Sequence, residues 1–141
     1  MWNWLPRLAK PSDLRKAGVM GMNRRNYDII APNNDRRLYP LVDDKVKTKT
    51  LANKIGISTP GLIGTIEHQY EVKNILEIVR ERKDFVIKPA QGSGGKGVLV
   101  ILDHNGDTFT TASGRSVSYA EIYQHISNIL SGLYSLGGRY D

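Results

Sequence analysis

The sequence has no cysteine, which excludes a disulfide scaffold and any metal site built on thiolates. It also has no long apolar run: nothing approaches the ~18 consecutive apolar residues a membrane helix needs, so no membrane partner is expected. The amino terminus, Met1-Trp2-Asn3-Trp4-Leu5-Pro6-Arg7, lacks the basic-then-apolar order of a secretory leader. The expected location is the cytoplasm, whose reducing chemistry suits a chain without disulfides. Low-complexity segments are missing too, and with 40% hydrophobic and 24% charged residues neither disorder nor a fibre is indicated. A chain of 141 residues is long enough to bury a core of its own.

Acidic residues are in deficit, 14 against 20 Lys plus Arg, for a formal charge of +6. The imbalance is local. Residues 1–50 hold 11 of the basic residues and 5 of the acidic ones, whereas residues 51–141 hold nine of each. The excess in the first third calls for an anionic partner: nucleic acid, a membrane surface or an anionic small molecule.

The first forty residues are poorly periodic and are punctuated by Pro6, Pro11, Pro32 and Pro40. They read as short helical turns and loops, with Trp2 and Trp4 as an apolar anchor for this arm. Residues 1–42 are therefore taken as an N-terminal arm and residues 43–141 as the main body. The body opens on a helix capped by Asp43 or Asp44, closed by Gly56 and barred from continuing by Pro60. Lys45, Lys47 and Lys49 crowd its first turns, an arrangement that is mildly unfavourable unless an anion accepts it.

Residues 62–66 read as a short strand. A second helix is expected over about 70–82, with Val72, Ile75, Leu76 and Val79 on one face. Apolar strands follow at residues 85–88 and 98–102. Asp103-His104-Asn105-Gly106 predicts a type I′ hairpin turn into a third strand at 108–111. Ser118 and Glu121 form a capping box for a last helix, whose inner stripe is Ile122, Ile126, Ile129, Leu130 and Leu133. The order predicts an α+β fold rather than a doubly wound one.

The most informative segment joins the strands at 85–88 and 98–102. Gly92-Ser93-Gly94-Gly95-Lys96-Gly97 places four glycines in six positions. Such a loop can turn several backbone N–H groups toward one point, which suits a polyphosphate, and four glycines are a large entropic cost for mere connection. Lys88, at the end of the preceding strand, is held near the loop mouth. Gly92-x-Gly94-x-x-Gly97 fits the dinucleotide pattern, but a strand follows it where a helix is required; a Walker loop fails for the same reason and because Gly97 stands where Ser or Thr should. A protein-kinase loop fails because no lysine occurs from Val98 to Ser118.

A lysine before a hairpin that carries the glycines resembles the ATP-grasp superfamily, in particular its RimK-like branch related to alpha-L-glutamate ligases. The likeness rests on Gly21-Met-Asn-Arg-Arg-Asn26, on residues 36–45 (Arg-Arg-Leu-Tyr-Pro-Leu-Val-Asp-Asp-Lys), on Gly56-Ile-Ser-Thr-Pro60, and on residues 85–97. It implies the N-terminal portion of an ATP-grasp fold, with a small antiparallel-sheet lid and helices. It implies ATP bound through Lys45, through Lys88 at the α- and β-phosphates, and through a loop (Gly92, Ser93, Gly94, Gly95, Lys96, Gly97) that closes over the β- and γ-phosphates. The reaction implied joins a carboxylate to an amine through an acyl phosphate.

The family's Mg²⁺ ligands lie beyond the lid subdomain. The chain is thus expected to correspond to the front half only, to carry no catalytic or metal-binding residue of its own, and to be inactive alone. A half-fold would leave a sheet face uncovered, so self-association is a further expectation. The alternative is a basic nucleic-acid-binding module built on Arg24, Arg25, Arg36, Arg37 and the lysines of the first helix, with Tyr27 and Tyr39 for stacking, although no nucleic-acid-binding motif accompanies them. His68, His104 and His125 are scattered and predict no metal site.

Overall fold

The computed structural model describes residues 9–135; Trp2 and Trp4 lie outside them. The described residues divide into two compact units, one ending at Pro40 and the other starting at Leu41.

The first unit is a succession of short helices. Helix α1 (Pro11–Lys16) begins on a proline, whose missing N–H costs nothing at that position. Helix α2 (Met22–Arg25) runs through a π-helical turn (Asn26–Ile30) into α3 (Ala31–Asn33). Pro32, in the first turn of α3, has no N–H to donate, which costs nothing at that position. Asp35 then caps a 3-10 turn (Arg36–Leu38), its carboxylate accepting from Arg37 N at 2.9 Å. None of the described residues up to Pro40 is buried.

Helix α4 (Tyr39–Asp43) spans the boundary between the units and leads into α5 (Lys45–Lys54) of the second. Asp44 is the cap, accepting from Val46 N at 3.0 Å and Lys47 N at 3.1 Å. Gly56 ends the helix at φ +77°. A 3-10 helix (Gln69–Asn74) passes into a single α-turn, α6 (Ile75–Ile78). Four antiparallel strands follow in sequence order: β1 (Phe85–Ile87), β2 (Leu99–His104), β3 (Thr108–Thr111) and β4 (Ser116–Ser118). Helix α7 (Tyr119–Leu130) closes the unit behind the Ser118/Glu121 capping box.

One apolar side chain from each strand (Phe85, Ile101, Phe109 and Val117) packs with Val72, Ile75 and Val79 before the sheet and with Ile122 and Ile126 from α7. Ile101, Phe109 and Ile122 are each under 2% exposed, and burying a side chain of this size contributes about 1.5–3 kcal/mol. The sheet with helices on one face is the expected α+β class.

Several local expectations are corrected. Residues 62–66 form no strand. Gly64 instead lies so close to α6 that an added Cβ would come within 2.7 Å of Ile78 Cγ2, and Ile66 packs against the core. The helix expected over 70–82 is mostly 3-10, with α-helix only at Ile75–Ile78; beyond it the Arg82 carbonyl accepts from His104 Nε2 on β2 at 2.7 Å where the chain turns into β1. The hairpin after β2 is not type I′, since no residue other than glycine has positive φ. Asn105 Oδ1 builds the turn by accepting from Asp107 N at 3.0 Å and Thr108 N at 2.9 Å. Strand β4 was not foreseen. Leu133 leaves the stripe of α7, 66% exposed, because Gly132 at φ +78° turns the chain away. Among the described residues no helix is long and apolar enough to cross a membrane.

Candidate functional site

Pairing of Val86 with Val100 and Ile87 with Leu99 fixes both ends of the connection between β1 and β2. Within it the glycines divide into two kinds. Gly94 (φ +65°) and Gly95 (φ +74°) have open space where a Cβ would be. Gly92 and Gly97 do not: a Cβ on Gly92 would meet Pro89 Cβ at 3.0 Å, and one on Gly97 would meet the Tyr134 ring at 2.7 Å and Pro89 Cγ at 2.8 Å. Pro89 itself is buried. The loop therefore has packed roots at Gly92 and Gly97 and an exposed tip from Ser93 to Lys96. Inside the tip Lys96 N donates to Ser93 O at 3.4 Å and Val98 N to Gly95 O at 3.3 Å, long bonds that exchange readily for a better acceptor.

Lys45 meets this loop. Its backbone N donates to Ala90 O at 2.9 Å, and its ammonium donates to Ala90 O at 3.3 Å and to Gly92 O. Asp44 aims α5 here through its cap. Burial raises the Asp44 pKa, but the N–H groups of Lys47 and Val46 and the Lys47 ammonium, 3.2 Å away, outweigh it and hold the carboxyl below its ordinary value. Lys47 is thus engaged by the cap of its own helix. Lys88 is exposed at the residue after β1, and Lys96 is exposed in the tip. The chain thus gathers Lys45 at the Gly92 root, with Lys88 and Lys96 on the same connection.

Three residues outside the expected phosphate site touch the loop, His125 among them, which the sequence offered only as a scattered histidine. His125 of α7 donates from Nε2 to Gly97 O at 3.0 Å; a carbonyl only accepts, so that nitrogen carries the proton. Tyr134 lies under Gly97, its ring 5.6 Å from that of His125. Ser135 forms an antiparallel bridge with Gly92. The available signal was the place of His125 between Ile122 and Ile126, at the edge of an apolar stripe.

The other histidines lie elsewhere. His104 stacks on Phe109 at 5.2 Å, and His68 stacks on Tyr70 at 5.4 Å. Among the described residues no group of three or more His, Cys, Asp or Glu could hold a metal ion. Polar groups in a cleft beside α7 are paired with one another, Arg115 with Glu121 at 2.6 Å and Thr111 with Ser113 at 3.0 Å. In the first unit Arg24 pairs with Asp28 at 2.9 Å and Arg37 with Asp35 at 2.5 Å.

A family model described as sugar-transfer associated ATP-grasp matches residues 24–141. The chain belongs to that family. ATP-grasp proteins are ligase-type, nucleotide-binding proteins that use ATP and Mg²⁺. No curated protein and no solved structure matches the chain.

Proposed function

We propose that this chain binds the phosphates of ATP between Lys45, Lys88 and the loop from Gly92 to Gly97, in the service of an ATP-dependent ligation. The observation that carries the reading is the meeting of Lys45 with the loop across 47 residues of sequence. In that arrangement the ammonium satisfies itself on loop carbonyls, and a phosphate oxygen is the stronger partner for the same cation.

The finer reading is a carboxylate–amine ligase of the glutamate-ligase-like kind. The γ-phosphoryl group passes from ATP to a carboxylate oxygen and ADP leaves. The amine nitrogen then attacks the acyl carbon, expels phosphate and loses a proton, giving an amide. Phosphoryl transfer depends mostly on positioning and on cations set against moving negative charge. Lys45, Lys88 and Lys96 supply cations, and the loop supplies N–H donors. Among the described residues no group of three or more His, Cys, Asp or Glu could hold the Mg²⁺ that the family uses. The family's association with sugar transfer puts sugar-linked carboxylates and amines first among substrates to screen. A cytoplasmic setting, where ATP is abundant, goes with this reading.

Lys88→Ala tests it, because Lys88 is exposed and its removal leaves the packed roots intact. ATP affinity by calorimetry should fall about tenfold, the loss of one charge-assisted contact of about 1.4 kcal/mol or more, with the melting temperature unchanged. Unchanged ATP affinity would remove Lys88 from the site. Tight oligonucleotide binding with a steep log–log salt dependence, and none of ATP, would instead favour the basic-module reading.

A further inference from the structure

We propose that His125, Tyr134 and Ser135 form a clamp that fixes both roots of the glycine loop, so that only residues 93–96 move as a flap; His125 and Tyr134 are then positioning residues for phosphate binding. What the flap closes on rests on the ATP reading above. The clamp itself rests on contacts that can be tested separately.

The two roots are held by independent means. At Gly97 the carbonyl accepts from His125 Nε2 at 3.0 Å, while the N–H of the same peptide, on Val98, donates to Gly95 O at 3.3 Å. The His125 bond therefore holds this peptide plane from outside the loop, whereas the longer Val98–Gly95 bond ties it to the tip and can open when the tip moves. The Tyr134 ring and Pro89 fill the space beneath it, leaving no room even for a methyl group. At Gly92 the chain pairs with Ser135, and its carbonyl accepts from the Lys45 ammonium.

Between these points nothing comes within 4 Å of a Cβ built on Gly94 or Gly95, and both have the positive φ that glycine adopts without strain. Fixed ends and a free middle define a hinge. They also preorganise the tip: with the roots already ordered, a bound polyphosphate has only four residues left to immobilise, which lowers the entropic cost of closing. Loss of the clamp would leave every phosphate-contacting residue present and still weaken binding.

The experiment uses the full chain with His125→Leu, His125→Gln and Tyr134→Ala, each checked by circular dichroism and thermal melting. Gln retains a donor at the position of Nε2; Leu does not. Without nucleotide, the rate of tryptic cleavage after Lys96 reads the loop directly, since trypsin spares the Lys88–Pro89 bond. Cleavage should rise at least threefold in His125→Leu and Tyr134→Ala and stay within about 1.5-fold of wild type in His125→Gln. ATP affinity should weaken at least fivefold in the first two and less than twofold in the third, with adenosine affinity the same in all.

Equal cleavage rates in all variants would overturn the clamp even if ATP binds. Altered cleavage with no ATP binding by any form, wild type included, would uphold the clamp and sink the ATP reading instead. If His125→Leu fails to fold, Tyr134→Ala and His125→Gln still decide the matter by the same two measurements.

Discussion

Glu71 and Glu121 act as acceptors for backbone N–H groups. Glu121 takes hydrogen bonds from Ser118 N at 2.8 Å and from its hydroxyl at 3.0 Å, while Arg115 adds an ion pair at 2.6 Å. Glu71 accepts from Glu67 N at 2.8 Å and His68 N at 2.9 Å. These backbone N–H donors hold both glutamates below the ordinary value, which is about 4.3 for a free side chain. A carboxyl whose folded pKa is depressed stabilises the fold fully above its unfolded pKa and loses that contribution as pH falls through the folded value. Melting temperature should therefore be flat from pH 7 to about 5 and decline below about 4. Glu121→Gln should have a lower melting temperature at pH 7 and a shallower acid decline. An acid limb identical to wild type in that variant would show that Glu121 is not one of the groups responsible.

Among the elements, the connection between β1 and β2 separates two roles of glycine. Gly95→Ala meets only the backbone penalty of positive φ, roughly 1–2 kcal/mol. Gly97→Ala meets that penalty and also displaces Tyr134 or Pro89, so urea unfolding should show a distinctly larger loss for Gly97→Ala. Equal losses would mean that the ring beneath Gly97 yields freely.

The same elements show what the residues disclosed in advance. Helix α7 was legible because its cap and its stripe of Ile122, Ile126 and Ile129 are both local. Strands β1 to β3 were legible because their apolar runs are bounded by turn residues. Strand β4 was hidden, having one apolar residue, Val117, between two serines and owing its conformation to pairing with β3. Residues 62–66 misled for the opposite reason: an apolar, β-prone run found a helix to pack on and no strand to pair with. At the candidate site, the glycine loop and Lys45 stand out in the sequence by motif and order. His125 and Tyr134 do not, because their significance arises from a contact with a loop 28 or more residues away.

At the scale of the whole molecule, burial among the described residues is confined to the second unit. Ile101, Phe109 and Ile122 are nearly inaccessible, whereas the described residues up to Pro40 include no buried side chain. Amide exchange follows local burial and cooperative opening. Amides of residues 9–40 should therefore exchange far faster than those of β2, β3 and α7, the latter approaching the global unfolding rate. Phe109→Ala should destabilise the second unit by about 3–5 kcal/mol and raise exchange across its sheet and helix together, with residues 9–40 little affected. Protection of residues 9–40 equal to that of β2 would contradict this division.

The bridge between Gly92 and Ser135 also sets an order of events during synthesis. The loop leaves the ribosome well before α7 and Tyr134, so its roots have only Lys45 and Pro89 to rest on until those later residues emerge. Local hairpins form early and distant contacts wait for the chain that supplies them. The loop is thus the last part of this unit to acquire its shape, and a nascent chain halted before Tyr134 would carry a formed sheet beneath an unfastened loop.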